Sequence, residues 1–221
     1  MNKAMAANAE LLTVEGVVQT WTDSWRSIGA HAPAGLLDEL LTAWRETHRR
    51  YHDERHLAEC MTLWSRWQEG CEHPGEVGVA LWFHDAVYDP MSSANELRSA
   101  AWAARSLLGA GLSSEVAQRV HDLVMATQHA APAATATPDT ALLVDIDLSI
   151  LGSPPERFEA YDQDVRKEYA WVPGFVYSGR RAKVLQGFLD RPQIYQTAAA
   201  AQLLERQARL NLTAALTRLA Q

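Results

Sequence analysis

The sequence has few of the features that mark several classes of protein. Its 221 residues include two cysteines, Cys60 and Cys71, whose spacing is neither that of a metal-binding pair nor that of a disulfide framework. No segment approaches the roughly 20 apolar residues that a membrane-spanning helix needs, and the first residues show no apolar leader with a cleavage site. We therefore expect a cytoplasmic protein that does not enter a membrane.

Positive charge is also scarce in this chain. Twenty Lys and Arg residues stand against 27 Asp and Glu residues, which gives a formal net charge of −7. Extended nucleic acids and anionic membranes are bound by basic surfaces, so neither is an expected partner. Hydrophobic residues make up 48% of the chain, enough for a sizeable core, and the length predicts one domain over residues 1–221.

Hydrophobic residues recur at helical spacing along nearly every segment, and the alternation typical of strands is almost absent. This pattern predicts an all-α fold, a single-domain helical bundle in which the core around the candidate metal site covers about residues 45–190. Ser93 and Glu96 have the spacing of a capping box at a helix start. The predicted helices cover residues 14–28, 36–44, 48–68, 77–90, 93–108, 113–128, 139–151 and 154–172, then a pair after Gly174 and Pro192, of which the last is a packing helix over about 193–220.

Three His-Asp dipeptides occur in the chain, and one of them stands apart by its context. It is His84-Asp85, which ends a segment that is apolar up to Phe83. An ionised carboxylate buried there would cost several kcal/mol unless it were paired or bound to a metal. A metal site is the favoured interpretation, and the alternative is a buried His and Asp bonded to each other. The other two dipeptides are His52-Asp53 and His121-Asp122.

Further candidate donors lie in other segments. Asp145 and Asp147 fall within a mostly aliphatic stretch, and neutral imidazole makes His56 a candidate nitrogen ligand. If residues 48–68 are one helix, His48, His52 and His56 share a face, which is either a metal-binding face or a solvated polar stripe. The spacing of His52 and His56 is that of a zinc peptidase, but Asp53 stands where that family needs Glu, so a peptidase is excluded.

The order of these residues resembles that of a known family. His56, then His84-Asp85, then an Asp in a later apolar segment is similar to the HD superfamily of metal-dependent phosphohydrolases. The chain looks most like the small bacterial predicted HD phosphohydrolases, and the resemblance implies a helical HD fold and a reaction class without naming a substrate. The matching stretches are RRYHDERHLAEC (49–60), ALWFHDAVYDP (80–90), NELRSA (95–100), ATQH (126–129), DIDLSILG (145–152) and residues 165–195.

The resemblance also implies roles for individual residues. The metal ligands are His56, His84, Asp85 and one aspartate of the pair 145 and 147. We favour Asp147, because the family's last ligand typically precedes an apolar or basic residue in a small-residue context, which Asp147-Leu148 fits better than Asp145-Ile146. His52 and His129 are expected to line the site, where they would hydrogen-bond to the substrate or bind a second metal. The catalytic residues implied are His52, His84, Asp85 and His129.

The expected cofactor is a divalent metal ion, because nitrogen and oxygen ligands suit Mg, Mn, Fe, Co, Ni or Zn. The substrate needs cationic partners, for which we favour Arg180 beside Gly179, with Lys183 and Arg49. The alternative for the basic segment 166–191 is a set of solvated helix charges and pairs with Glu168 or Asp190, and Arg49 could equally pair with Glu46 or Asp53. Tyr88 stands where some HD nucleotidases carry Glu, so their catalytic acid has no counterpart here.

These residues predict a metal-dependent phosphohydrolase that cleaves a small phosphate ester by metal-activated water. A nucleotide is the leading substrate class. Two alternatives remain open at this point: an HD-fold di-iron oxygenase, and a non-catalytic module that binds a metal or a nucleotide. The amphipathic C-terminal segment is compatible with a homodimer.

Overall fold

The computed structural model describes residues 11–128 and 136–220, and the secondary structure of these residues is helical, with no strand. The prediction of an all-α fold is confirmed. The described chain divides into two compact units, residues 11–147 and residues 148–220, so the single-domain interpretation stays a prediction. Within these residues, no helix combines the length and the apolar character that crossing a bilayer demands.

Seven helices form the described part of the first unit, and three form that of the second. The first seven are α1 (Val14–Ser27), α2 (Leu36–Trp44), α3 (Glu54–Trp67), α4 (Pro74–Phe83), α5 (Asn95–Gly109), α6 (Ser114–Met125) and α7 (Pro138–Asp147). A 3-10 turn at Leu148–Gly152 opens the second unit, which continues with α8 (Pro155–Glu168), α9 (Gly174–Leu189) and α10 (Ala198–Leu219).

The start of α3 differs from the sequence prediction. The predicted helix began at residue 48, whereas α3 begins at Glu54 because the Asp53 side chain accepts the backbone N–H groups of Arg55 and His56 as an N-cap. Residues 48–53 form turns instead. His52 therefore precedes the helix, and the prediction that it shares a helical face with His56 is wrong.

Other helix ends were also misplaced by the sequence patterns. Helix α4 ends at Phe83 instead of continuing to Pro90. The N-cap of α5 is Ala94 with no side-chain hydrogen bond, so the predicted capping box at Ser93 is wrong. Helix α7 ends at Asp147, where a 3-10 turn replaces the predicted continuation to residue 151.

Helix α4 lies at the centre of the first unit. Every residue from Gly75 to Phe83 is buried, and the helix packs against α1, α3, α5, α6 and α7. Close packing requires glycine at position 78, because a Cβ there would lie 2.8 Å from the ring of Trp64. The one acidic residue of the buried stretch, Glu76, pairs with Arg119 of α6 at 2.6 Å. The residues that follow Phe83 consequently emerge inside the unit.

A carboxylate at the start of α7 aligns this helix with α4. Asp139 accepts the backbone N–H of Glu72 at 2.7 Å and that of His73 at 3.1 Å, just before α4 begins. The ring Nδ1 of His73 lies 3.0 Å from the same carboxylate. These bonds hold the first turn of α7 to the segment before α4, and the two helices pack together.

Candidate metal centre

Three segments of the first unit bring together the four metal ligands that the resemblance implied. His56 lies in the first turn of α3, His84 caps the C-terminal end of α4 with Asp85 next to it, and Asp147 ends α7. The two Nε2 atoms are 3.1 Å apart. Asp147 Oδ1 lies 3.2 Å from His56 Nε2 and 3.6 Å from His84 Nε2. Asp85 Oδ2 lies 3.2 Å from His84 Nε2 and 3.7 Å from His56 Nε2.

These distances fit a shared cation. An ion that holds two nitrogen or oxygen ligands at 2.0–2.1 Å in a tetrahedron separates the two donors by about 3.4 Å. The measured separations, from 3.1 to 3.7 Å, lie on both sides of that value. Since His56, His84 and Asp147 are buried, the cluster also has the dry surroundings in which ionised carboxylates need a positive partner.

Cys60 is a further donor of the cluster that the sequence analysis missed. It lies one turn after His56 on α3, is 1% exposed, and places its Sγ 3.8 Å from both ring nitrogens of His56. Donor atoms of His56, Cys60, His84 and Asp147 all lie within 4.8 Å of one another. Cys60 was set aside because the chain has no cysteine pair at metal-binding spacing. The signal that could have found it is its i, i+4 spacing from a candidate histidine ligand. The first unit thus contains a buried His/Cys/His/Asp cluster that can bind a metal.

Hydrogen bonds outside the cluster orient both imidazole rings. His84 Nδ1 donates to the carbonyl oxygen of Leu81 at 2.7 Å, which leaves the Nε2 of neutral His84 as a lone-pair donor. His56 Nδ1 is hydrogen-bonded to the hydroxyl of Tyr51 at 3.0 Å. Second partners of this kind are typical of metal-binding histidines, because they fix the ring and its tautomer.

The electrostatics of the cluster favour a positive charge within it. Burial alone would lower the pKa of His84, but the charge of Asp85 and hydrogen bonds to Asp147 and Asp85 raise this pKa well above its usual value. Burial opposes the ionisation of Asp85, yet His84 holds the pKa of Asp85 below its usual range. Burial and then the charge of Asp147 raise the pKa of the Cys60 thiol. A divalent cation would satisfy the same carboxylates.

Arg49 fixes the turn that carries Asp85. Its side chain is fully buried and donates hydrogen bonds to the carbonyl oxygens of Asp85 (2.7 Å), Ala86 (3.1 Å) and His52 (2.9 Å). The guanidinium also pairs with Glu46 at 3.0 Å. These contacts give Arg49 a positioning role beside the cluster, and its predicted role in phosphate binding stays a prediction.

The remaining histidine and aspartate candidates have different outcomes. The His52 ring stacks on Tyr88 with centroids 4.2 Å apart and lies 6.1 Å from the His56 ring, so His52 is beside the cluster. Asp145 is fully buried on α7, but the aspartate whose oxygen lies within 4.8 Å of the donor atoms of His56, Cys60 and His84 is Asp147. His129 lies outside the described residues.

Arg180 and Lys183, the other predicted phosphate-binding residues, lie on α9 in the second unit, and both are exposed. Their role stays a prediction. Part of the surrounding basic segment has structural partners within that unit. Arg181 pairs with Asp162 at 2.9 Å, and Arg166 donates to the carbonyl oxygen of Tyr169 at 2.6 Å. Arg181 is buried and pairs with Asp162, which is neither of the two acids expected from the sequence, and Arg166 bonds to a backbone carbonyl.

The other His-Asp dipeptides do not join the cluster. Asp53 caps α3, as described above. His121 and Asp122 lie on α6, where the Asp122 side chain is exposed and contacts His121 at 3.2 Å. Of the three dipeptides, only His84-Asp85 follows an apolar segment, and it is the one that lies beside His56.

No family model matches this chain, and no curated protein and no solved structure matches it. A function for the protein is therefore argued from the residues and geometry of the cluster.

Proposed function

We propose that the protein is a divalent-metal-dependent phosphohydrolase acting on a small phosphate ester, with nucleotides as the first substrates to test. The observation that carries the proposal is the convergence of His56, His84, Asp85 and Asp147 at separations that suit one cation. The order of these residues, which resembles that of the HD phosphohydrolases, supports the choice of reaction.

The buried ligands of the cluster would hold the ion, and its most exposed ligand marks where a substrate could approach. Both Nε2 atoms point at the carboxylates, since each Nδ1 is already hydrogen-bonded. Asp85 is the most exposed of the four ligands, at 16% of its side chain, so a substrate would approach beside it. A divalent cation in this position supplies Lewis-acid chemistry, because it offsets phosphoryl charge and makes water more acidic.

His52 is placed to assist the reaction from the edge of the cluster. It is partly exposed, and stacking on Tyr88 holds its ring beside the ring of His56. An imidazole there can donate a hydrogen bond to a phosphate ester or transfer a proton. Arg49 contributes indirectly, since its hydrogen bonds to the carbonyl oxygens of Asp85 and His52 keep both segments in place.

The proposal is tested by phosphate release from nucleotides and sugar phosphates. The protein is first stripped of metal with a chelator, and Mg, Mn, Fe, Co, Ni or Zn is then added back. We expect metal-restored turnover in the wild type and a loss of at least roughly 100-fold in Asp85→Ala, because a ligand carboxylate is missing. Circular dichroism and thermal unfolding check that the variant is folded.

A matched control comes from the exposed His-Asp dipeptide of α6. Asp122→Ala removes an aspartate that also follows a histidine but lies outside the cluster, so we expect unchanged turnover. Wild-type activity in Asp85→Ala would contradict the proposed site. No phosphate release with any metal would contradict the reaction class. In that case about two irons per chain would indicate the di-iron oxygenase, and nucleotide-induced stabilisation without turnover would indicate a binding module.

A further inference from the structure

We propose that Cys60 binds the cation through its sulfur, so that the centre has a mixed nitrogen, oxygen and sulfur donor set that selects Zn, Co or Fe over Mg or Mn. This inference rests on the metal dependence in the proposed function and is independent of phosphate hydrolysis.

The sulfur lies close to the other donors but is not yet in line with His56 Nε2. A sulfur ligand at about 2.3 Å and a nitrogen ligand at 2.0–2.1 Å from one ion lie about 3.6 Å apart when the angle between them is tetrahedral. Cys60 Sγ lies 3.8 Å from both ring nitrogens of His56, so it lies beside the ring, and coordination requires the sulfur to move toward the Nε2 side. It also lies within 4.8 Å of the donor atoms of His84 and Asp147. With Asp85 the set has five donors, so an ion that contacts all of them would be five-coordinate.

Helix α3 makes this arrangement a fixed one. His56 and Cys60 are separated by four residues, which places both side chains on one face of the helix. Both are buried, and Sγ contacts the nitrogens of the His56 ring. Many buried cysteines serve as small apolar residues. Cys60 differs in that its sulfur lies among three other potential ligands.

Coordination would exchange a proton for the metal. The S–H bond breaks as the sulfur–metal bond forms, the proton leaves to solvent, and no electron is transferred. A thiolate prefers borderline and soft cations, whereas Mg and Mn are best served by carboxylates, carbonyls and water. Cys60 therefore makes Mg and Mn the least favoured of the six metals that nitrogen and oxygen ligands alone allow.

The test is the absorption spectrum of the cobalt-loaded full chain. Metal-stripped protein is titrated with Co²⁺, and we expect a thiolate-to-cobalt charge-transfer band in the near ultraviolet. Cys60→Ser should lose this band while still binding Co²⁺ through the remaining ligands, with affinity for Co²⁺ and Zn²⁺ reduced about tenfold or more. Its affinity for Mg²⁺ should change little.

The second cysteine supplies the matched control. Cys71→Ser should keep the band, and since the chain has two cysteines, a band in that variant must come from Cys60. This reading does not require Cys60→Ser to fold. Bound Co²⁺ without a charge-transfer band in Cys71→Ser, or an unchanged band in folded Cys60→Ser, would overturn the inference.

The outcomes also separate this inference from the proposed function. A chain that takes up no Co²⁺ would overturn both, because the metal centre itself would be absent. Bound Co²⁺ without the band, accompanied by metal-dependent phosphate release, would overturn the role of Cys60 alone. The band without phosphate release from any substrate would support Cys60 as a ligand and contradict the hydrolase.

Discussion

The hydroxyl group of Tyr51 contacts a histidine of the candidate metal centre without being a donor itself. It is hydrogen-bonded to His56 Nδ1 at 3.0 Å, and the Tyr51 ring packs on the His56 ring with centroids 4.7 Å apart. The hydroxyl therefore fixes the direction in which His56 presents Nε2 to the other donors.

We expect Tyr51→Phe to weaken metal binding about 10- to 100-fold, because loss of the second hydrogen-bond partner leaves the His56 ring less well oriented. Competition between the protein and a chromophoric chelator for Zn²⁺ measures the affinity. The loss of metal-binding free energy should exceed the loss of folding free energy. The loss of one hydrogen bond lowers the free energy of unfolding by about 1 kcal/mol.

The control is Tyr195→Phe in the second unit. Its hydroxyl donates to the carbonyl oxygen of Leu148 at 3.1 Å in a buried position, so this variant also loses one buried tyrosine hydrogen bond. Metal affinity should stay at the wild-type value there. Equal affinity for Zn²⁺ in Tyr51→Phe and Tyr195→Phe would contradict the role assigned to Tyr51.

Some of the donor residues could be recognised from the sequence, and one could not. His84 and Asp85 were identifiable because a charged dipeptide at the end of an apolar run demands a partner. His56, Asp145 and Asp147 were candidates from their residue types and surroundings, and the choice of Asp147 over Asp145 came from the resemblance. Cys60 was missed because its neighbours are ordinary core residues of a helix, and its relation to the other donors depends on tertiary packing.

Among the elements, the turn after α4 depends on a residue that precedes α3. Arg49 reaches across to the carbonyl oxygens of Asp85 and Ala86 and also holds that of His52, which lies on its own segment. Its guanidinium lies over the rings of Trp44 and Tyr88 at 5.5 Å from each centroid. One side chain therefore joins two segments that carry residues of the site.

We expect Arg49→Met to destabilise the protein by roughly 2–4 kcal/mol, because the carbonyl oxygens that Arg49 satisfies lose a charged donor. Co²⁺ uptake measured without phosphate should weaken as well, since the turn that presents Asp85 loosens. Urea unfolding and cobalt titration measure the two effects. Normal metal uptake with weaker phosphate binding alone would instead support the predicted substrate role of Arg49.

Arg45→Met is the matched comparison. Arg45 is 54% exposed and pairs with Glu54 at 2.7 Å on the surface. Exposed ion pairs of this kind contribute about 0–1 kcal/mol. We therefore expect a small change in stability and wild-type cobalt uptake. A loss as large as that of Arg49→Met would show that removal of any arginine in this region has the same effect.

The elements also show where sequence periodicity stops being informative. It located α4 because that helix is apolar on every side, and it gave α2 over residues 36–44 as observed. It placed the start of α3 too early because residues 48–52 carry no helix-breaking residue. The start is set by the Asp53 side chain, which accepts the backbone N–H groups of Arg55 and His56. Hydrophobic periodicity does not reveal these hydrogen bonds.

For the whole molecule, the candidate metal donors all lie in one of the two units. The donors His56, Cys60, His84, Asp85 and Asp147 all belong to residues 11–147. A ligand that binds the folded state stabilises it, by about 2.7 kcal/mol when its concentration is 100 times the Kd. That stabilisation should act on the unit that contains the donors.

We expect Zn²⁺ to slow amide hydrogen exchange most in α3, α4 and α7 of the full chain, with little change in α8 to α10. Hydrogen exchange followed by mass spectrometry measures this distribution. His84→Ala removes one nitrogen donor and should abolish most of the added protection. Equal added protection in both units, or none in α4, would contradict this regional effect.

The exposure of the donors is graded across the centre. The side chains of Asp85 and Asp147 are 16% and 10% exposed, whereas those of His56 and His84 are 3% and 1% exposed. Any molecule that reaches the centre therefore meets carboxylates before it meets nitrogen or sulfur. Like charges repel across such a short distance, so the carboxylates disfavour an anion that arrives before the cation. Binding is thus expected to be ordered, with the metal first and the negatively charged ligand second.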